Sequence, residues 1–330
     1  MFNKHKLTVF LLLLLINIMV PLNVLAYSDY IIAGGQNIGI QLNSNGVLIV
    51  GTYKVGEKNP AKDANLQIGD KIISINNTKV TSIKEMLDII SSINNPNSIQ
   101  ITYQRGSKIS TTTLNLILDN KKIYKTGLYV KDSINGVGTL TFIDPNTKLY
   151  GALGHEIIET TTGQKLEIKT GKVYSSTVTG ITPSKHGNPG EKNAKYNASD
   201  IYGDIKENTS SGIFGNYTET LPATKLYKVA QPNEVKLGKA SILTVIDGQT
   251  IEMFDINILK TSTNNQIKNI LFEVTDERLL RISGGIVQGM SGSPIIQNDY
   301  IVGAVTHVVV DDCTKGYGIF ITNMLEEAED

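Results

Sequence analysis

From residue 119 onward, apolar residues come in short runs broken by Gly, Asn and Pro: Val137 to Phe142, Val173 to Ile181, Val235 to Ile246, and Ile251 to Leu259. Runs of this length and spacing predict strands, and strands at this density close into a sandwich or barrel. An amphipathic helix is expected only at the end, Asn323 to Glu327. A chain of 330 residues suggests about two domains, and its 40% hydrophobic and 19% charged residues are those of a globular protein. With 31 basic and 31 acidic side chains the net charge is zero, which argues against nucleic acid as a partner. One cysteine excludes an internal disulfide, a zinc ribbon and an iron–sulfur cluster.

Residues 1–26 read as an address. Lys4, His5 and Lys6 precede the apolar run Val9 to Val20, Pro21 breaks it, and Val24-Leu25-Ala26 offers a small-residue cleavage site. That order is that of an export signal, with an N-terminal membrane anchor as the alternative. Either way, the remaining chain is expected to act outside the cytoplasm, where a lone thiol is in keeping.

Residues 27–118 read as a small α/β module. Ile38 to Leu42 and Val47 to Val50 are expected strands, with Asn43-Ser44-Asn45-Gly46 as a turn. Ser82 and Glu85 form a capping box for a helix from Ser82 to Ile93. Ile83, Met86, Leu87 and Ile90 share one face of it. The order of elements resembles a PDZ domain, through Asn37-Ile38-Gly39-Ile40, the stretch Pro60-Ala61 to Gly69-Asp70, and the helix. The resemblance implies that Ile38, Gly39 and Ile40 precede an edge strand that receives a peptide as an added strand, with Met86 and Leu87 setting the apolar preference. Alternatively, such a groove holds a segment of the same chain.

Residues 119–330 carry the chemistry. Gly289-Met290-Ser291-Gly292-Ser293-Pro294 resembles the nucleophile loop of chymotrypsin-like serine peptidases. Glycines let such a loop turn so that Ser291 Oγ enters a cleft and the Gly289 and Ser291 N–H groups converge on an oxyanion. A serine nucleophile needs a base. Of the four histidines, His5 lies in the export segment, His186 in a polar loop and His307 within a strand. His155 closes the small-residue run Gly151-Ala152-Leu153-Gly154 and precedes Ser291 by 136 residues (291 − 155), so it is the expected base. His155-Glu156-Ile157-Ile158-Glu159 begins like a zinc-peptidase helix, but Glu159 stands where the second histidine would be, so no metal is expected. Spacing leaves Asp200 or Asp204 open as the carboxylate of a triad. Cys313, in a turn, is read as incidental.

The export segment, the PDZ-like module, Gly151-Ala152-Leu153-Gly154-His155, Gly187-Asn188-Pro189-Gly190-Glu191, Gly284 to Pro294 and Gly303 to His307 together resemble the SpoIVB peptidase family of spore-forming bacteria. The resemblance implies a mainly β fold, a chymotrypsin-like double β-barrel at 119–330 behind the PDZ domain. It implies Asp276, 15 residues before the serine (291 − 276), as the third member beside His155 and Ser291. It implies an endopeptidase needing no cofactor, exported from the forespore into the intermembrane space. There it would cleave itself and a membrane-associated regulatory protein, leading to late sigma-factor processing. The rival expectation is a non-catalytic PDZ scaffold at the sporulation membranes.

Overall fold

Strand β1 (Tyr30–Ala33) and the 16-residue strand β2 (Asn37–Thr52) open the fold, in a computed structural model that describes residues 27–94, 96–165, 167–264 and 267–329. The expected export segment lies outside the described residues. Among the described residues, no helix is long and apolar enough to cross a membrane.

Two expected strands and their turn are in fact the single strand β2. Asn43 to Gly46 is not a hairpin turn but an irregular stretch where the pairing register slips. Asn45 N–H donates to Glu167 O there, so tertiary partners hold the segment extended. Ile38, Ile40 and Leu42, all even-numbered, face one cluster, whereas Val47 and Ile49, both odd-numbered, face another. A strand alternates its faces with period two, so its even- and odd-numbered residues can face different clusters. One strand thereby serves two cores.

The C-terminal half of β2 belongs to the PDZ-like unit, with β3 (Lys71–Ile75), β4 (Ser98–Arg105), β5 (Lys108–Asn115) and helix α1 (Ile83–Ser92). Ser82 Oγ accepts from Glu85 N–H as the capping box predicts, while Glu85 reaches back to the N–H of Thr81 rather than Ser82. Val47, Ile49, Ile72, Ile75, Met86, Ile99 and Ile101 fill the core. Asp70, fully buried, holds β3 to β4: its carboxylate accepts from Arg105 Nε at 2.6 Å and Nη2 at 2.7 Å.

The N-terminal half of β2 belongs to a barrel. It joins β6 (Leu128–Ile143), β7 (Leu149–Ala152), β8 (Ile168–Thr182), β9 (Glu191–Ile205) and β10 (Gly212–Asn216). The pairing runs β2–β6–β7–β10, then β9–β8–β2. Closure between β10 and β9 rests on the bridge Gly203 to Tyr217 and on Asn216 N–H donating to Asp204 Oδ1. A side chain at 203 would meet Asn216 O at 2.3 Å, so only glycine permits that approach.

Strand β11 (Leu226–Val229) pairs with β1 and leads into a second six-stranded ring. This ring comprises β12 (Gly238–Val245), β13 (Ile251–Thr261), β14 (Ile270–Val274), β15 (Pro294–Gln297), β16 (Tyr300–Val308) and β17 (Lys315–Phe320). It closes in the order β12–β13–β14–β17–β16–β15–β12. Helix α2 (Glu277–Ser283) precedes the nucleophile loop, and α3 (Ile321–Glu329) ends the chain. A separate cluster with Ile31, Phe142, Phe214, Ile301, Ile319 and Met324 draws on both barrels and α3. The expected double barrel behind a PDZ-like unit is therefore the fold, with residues 30–43 of the expected PDZ range built into the peptidase barrels.

That sharing corrects the expected peptide groove. Ile38, Gly39 and Ile40 do not precede a free edge: they pair with Gly138, Val137 and Gly136 of β6 on one side and with Ser175, Tyr174 and Val173 of β8 on the other. Both rows of backbone groups are used, so no peptide can add there. The chain's own β6 supplies the neighbouring strand, and Asp132 on it accepts from Ile83 N–H at the start of α1. Met86 is buried in the core, and only Leu87, 59% exposed, faces solvent.

Replacing Asp70 with Ala removes a buried charge-assisted pair and should lower stability by about 2 kcal/mol, seen as a lower urea midpoint.

Candidate active site

The nucleophile loop is shaped by two glycines that adopt left-handed backbone, Gly289 (φ +93°) and Gly292 (φ +92°). A Cβ on Gly292 would lie 2.0 Å from Thr139 O and 2.5 Å from Leu153 N, so the loop can seat against the first barrel only with glycine there. Met290 points inward and is fully buried in the second barrel's core. Ser291 is thereby turned outward, half-buried. Gly292 N–H donates to Val305 O and Ser293 N–H to Met290 O, which tightens the turn. The N–H groups of Gly289 and Ser291 make no intramolecular hydrogen bond among the described residues. Two free N–H groups flanking an outward serine are the geometry an oxyanion needs.

His155 comes from the other barrel. It follows β7 through a turn in which Leu153 and Gly154 both have φ of +71°. A Cβ on Gly154 would meet Thr306 Cγ2 at 2.9 Å, so this turn presses against β16. His155 Nδ1 is 2.8 Å from Glu156 O. A carbonyl only accepts, so Nδ1 carries the proton and Nε2 of the neutral ring keeps its lone pair. Burial pushes the His155 pKa below its ordinary value, against the smaller opposing pull of the Glu156 carbonyl and carboxylate.

The two side chains line one cavity of about 310 Å³, walled by Ile40, Val137, Leu153, Ile157 and Gly289. The structure thus brings His155 and Ser291 together from separate barrels. Ser291 Oγ donates to Thr306 O at 2.8 Å, so its proton rests on a backbone carbonyl. His307, in β16, stacks obliquely on His155 with ring centroids 5.0 Å apart. Burial, reinforced by the His155 and Lys268 charges, lowers the His307 pKa to about 4, and its buried Nδ1 has no hydrogen-bond partner among the described residues.

Asp276 is placed elsewhere. It is the N-cap of α2: its Oδ1 accepts from Leu279 N–H at 2.9 Å, and the His155 Nδ1 bond goes to Glu156 O. The helix start at Glu277 explains the assignment, since an Asp before a helix satisfies an otherwise free N–H. Asp204, the spacing candidate, accepts from Asn216 N–H in the barrel seam. Glu159 is no metal ligand: its buried carboxylate binds Lys131 and the Thr161 and Thr162 N–H groups. No cluster of three metal-binding side chains occurs among the described residues.

Lys192 and Thr139 belong to the site without belonging to any of its sequence motifs. Lys192 is 5% exposed, and burial lowers its pKa to about 7. Its Nζ donates to Thr244 Oγ1 at 2.8 Å and lies 3.4 Å from Thr139 Oγ1. The only signal was position, directly after Gly187 to Glu191; a lysine following a glutamate reads as surface.

The SpoIVB peptidase S55 family model matches residues 122–325, most of the chain. The chain belongs to that family. It is a serine peptidase, and a PDZ-domain model matches residues 36–116. No curated protein matches the chain. Among solved structures it is similar to the PDZ domain of an SdrC-like protein from Listeria monocytogenes, at 28% identity over 27% of this chain and 90% of that one, TM-score 0.24. It is also similar to the Rv3671c protease from M. tuberculosis, active form, at 17% identity over 59% and 74% of the two chains, TM-score 0.34. Human heparin binding protein is similar at 8% identity over 59% and 85%, TM-score 0.33.

Two outcomes follow from the geometry. Imidazole titration followed by NMR should give a His155 midpoint below 6.5 and a His307 midpoint about 4, because burial disfavours the charged form of each ring. Asp276→Ala should cost about 1 kcal/mol of stability through the lost cap, while Asp276→Asn, which can cap equally, should keep the wild-type urea midpoint.

Proposed function

We propose that the chain is an exported serine endopeptidase in which Ser291 is the nucleophile, His155 the general base, and the Gly289 and Ser291 N–H groups the oxyanion hole. The observation that carries this reading is the convergence of His155 and Ser291, from different barrels, on one cavity beside two unbonded N–H groups. The reaction requires Ser291 Oγ to give up Thr306 O for the unprotonated His155 Nε2. His155 then takes the Oγ proton as Oγ attacks the scissile carbonyl, and the carbonyl oxygen gains charge between the two N–H groups. The imidazolium returns its proton to the leaving amine. Water, activated by His155, hydrolyses the acyl-enzyme. Glu156 O, not Asp276, orients the ring in this arrangement.

The cavity beside the serine is walled largely by aliphatic side chains, which favours substrates with an apolar residue near the scissile bond. The resemblance to the SpoIVB family supports a setting in sporulation, with export from the forespore, self-cleavage, and cleavage of a membrane-associated regulatory protein. The rival non-catalytic PDZ scaffold loses its support, because β6 and β8 occupy both edges at Ile38, Gly39 and Ile40.

Ser291→Ala should abolish self-cleavage and peptide cleavage and prevent labelling by a fluorophosphonate probe, with wild-type circular dichroism retained. Cleavage by the purified variant at the wild-type rate would overturn the assignment.

A further inference from the structure

A lysine amine sealed inside a protein without a carboxylate is unfavourable, because burial penalises its charge. Lys192 is such a case: among the described residues it forms no ion pair, and its contacts are two threonine hydroxyls, Thr244 Oγ1 and Thr139 Oγ1. A methionine-like side chain would fill the same space without that penalty. The lysine must therefore be held for its hydrogen bonds.

Those bonds lead to Gly289 by two routes. The first is the backbone. Lys192 N–H donates to Gln288 O at 2.9 Å, and Gln288 N–H donates to Gly190 O at 2.8 Å. In a trans peptide the C=O and N–H point in opposite directions. Anchoring the Gln288 carbonyl toward Lys192 therefore aims the Gly289 N–H the other way, and that N–H is one of the two unbonded donors of the site. The second route is the side chain. Lys192 Nζ approaches Thr139 Oγ1, and Thr139 Oγ1 donates to Gly289 O at 2.8 Å. This fixes the peptide that follows Gly289. The aliphatic stem completes the grip, since Lys192 Cβ, Cγ and Cδ all lie within 3.1–3.3 Å of where a Gly289 Cβ would be. A charged amine has three N–H groups and an uncharged one two, so either form serves both threonines.

We infer that Lys192 is a positioning residue of the peptidase reaction: it orients the two peptide planes of Gly289 and so presets the oxyanion hole. The inference rests on the proposed roles of Ser291 and the Gly289 N–H, and it adds a residue that touches neither substrate nor reacting atoms.

Lys192→Met keeps the stem and removes the donors. Kinetics would be measured on a fluorogenic peptide selected from a library with the wild-type enzyme, together with phenylboronic acid affinity and the fluorophosphonate labelling rate. A misaligned hole should lower kcat about tenfold or more, with KM within twofold, and weaken boronate binding and labelling by a similar factor. Thermal stability should stay at or above the wild-type value, because a buried amine is removed. Unchanged kcat and boronate affinity would overturn the inference, as would a rise in KM at constant kcat. If Lys192→Met does not fold, Thr139→Val breaks the side-chain route at its middle and is held to the same criteria. Ser291→Ala in parallel separates the two readings: if it still cleaves, the nucleophile assignment fails; if it is inert while Lys192→Met is fully active, only the role of Lys192 fails.

Discussion

Thr139 is where the two barrels are made into one site. It lies in β6 of the first barrel and is fully buried. Its N–H donates to Ser291 O, its hydroxyl to Gly289 O, and its carbonyl accepts from Leu153 N–H in the turn before His155. Thr141, two residues on and on the same face, donates to Gly292 O. The loop that carries the nucleophile is thus registered against the barrel that carries the base by one main-chain hydrogen bond, Thr139 N–H to Ser291 O, and by two threonine hydroxyls that donate to loop carbonyls. These three bonds are 2.8–2.9 Å long and fix the loop backbone on either side of Ser291.

This arrangement explains why glycine and methionine alternate with serine in Gly289 to Gly292. Met290 anchors the loop in one core, and Gly292 lets the backbone touch the other barrel. Each residue satisfies a different neighbour, and the serine is the one left facing the cavity.

Much of this was legible in the chain. Short apolar runs foretold the strands, because period-two burial leaves a local trace. The Gly-x-Ser-Gly-x-Pro stretch and His155 were legible because their chemistry demands particular residues at particular turns. What could not be read was tertiary. Asn43 to Gly46 has the composition of a turn, yet β6 and Glu167 hold it extended. Ile38 to Ile40 looked like a ligand-binding edge, and nothing local says that both edges are taken. The family resemblance implies Asp276 as the triad acid, but the adjacent helix claims its carboxylate. Nothing local marks Lys192 as buried, because burial of a charge is decided by strands far away in sequence.

The pairing of β1 sets a schedule for the chain's assembly. Tyr30 aligns with Lys228, 198 residues later (228 − 30), and the first half of β2 waits for β8. Closing contacts over such separations is entropically costly and slow. The earliest described strand can meet β6 sooner, but its β11 partner follows only after the whole first barrel in the chain. Until then Thr139 has no nucleophile loop to hold, because Ser291 lies farther still toward the C-terminus. A partly folded chain is thus without a working site, and competence arrives late and all at once.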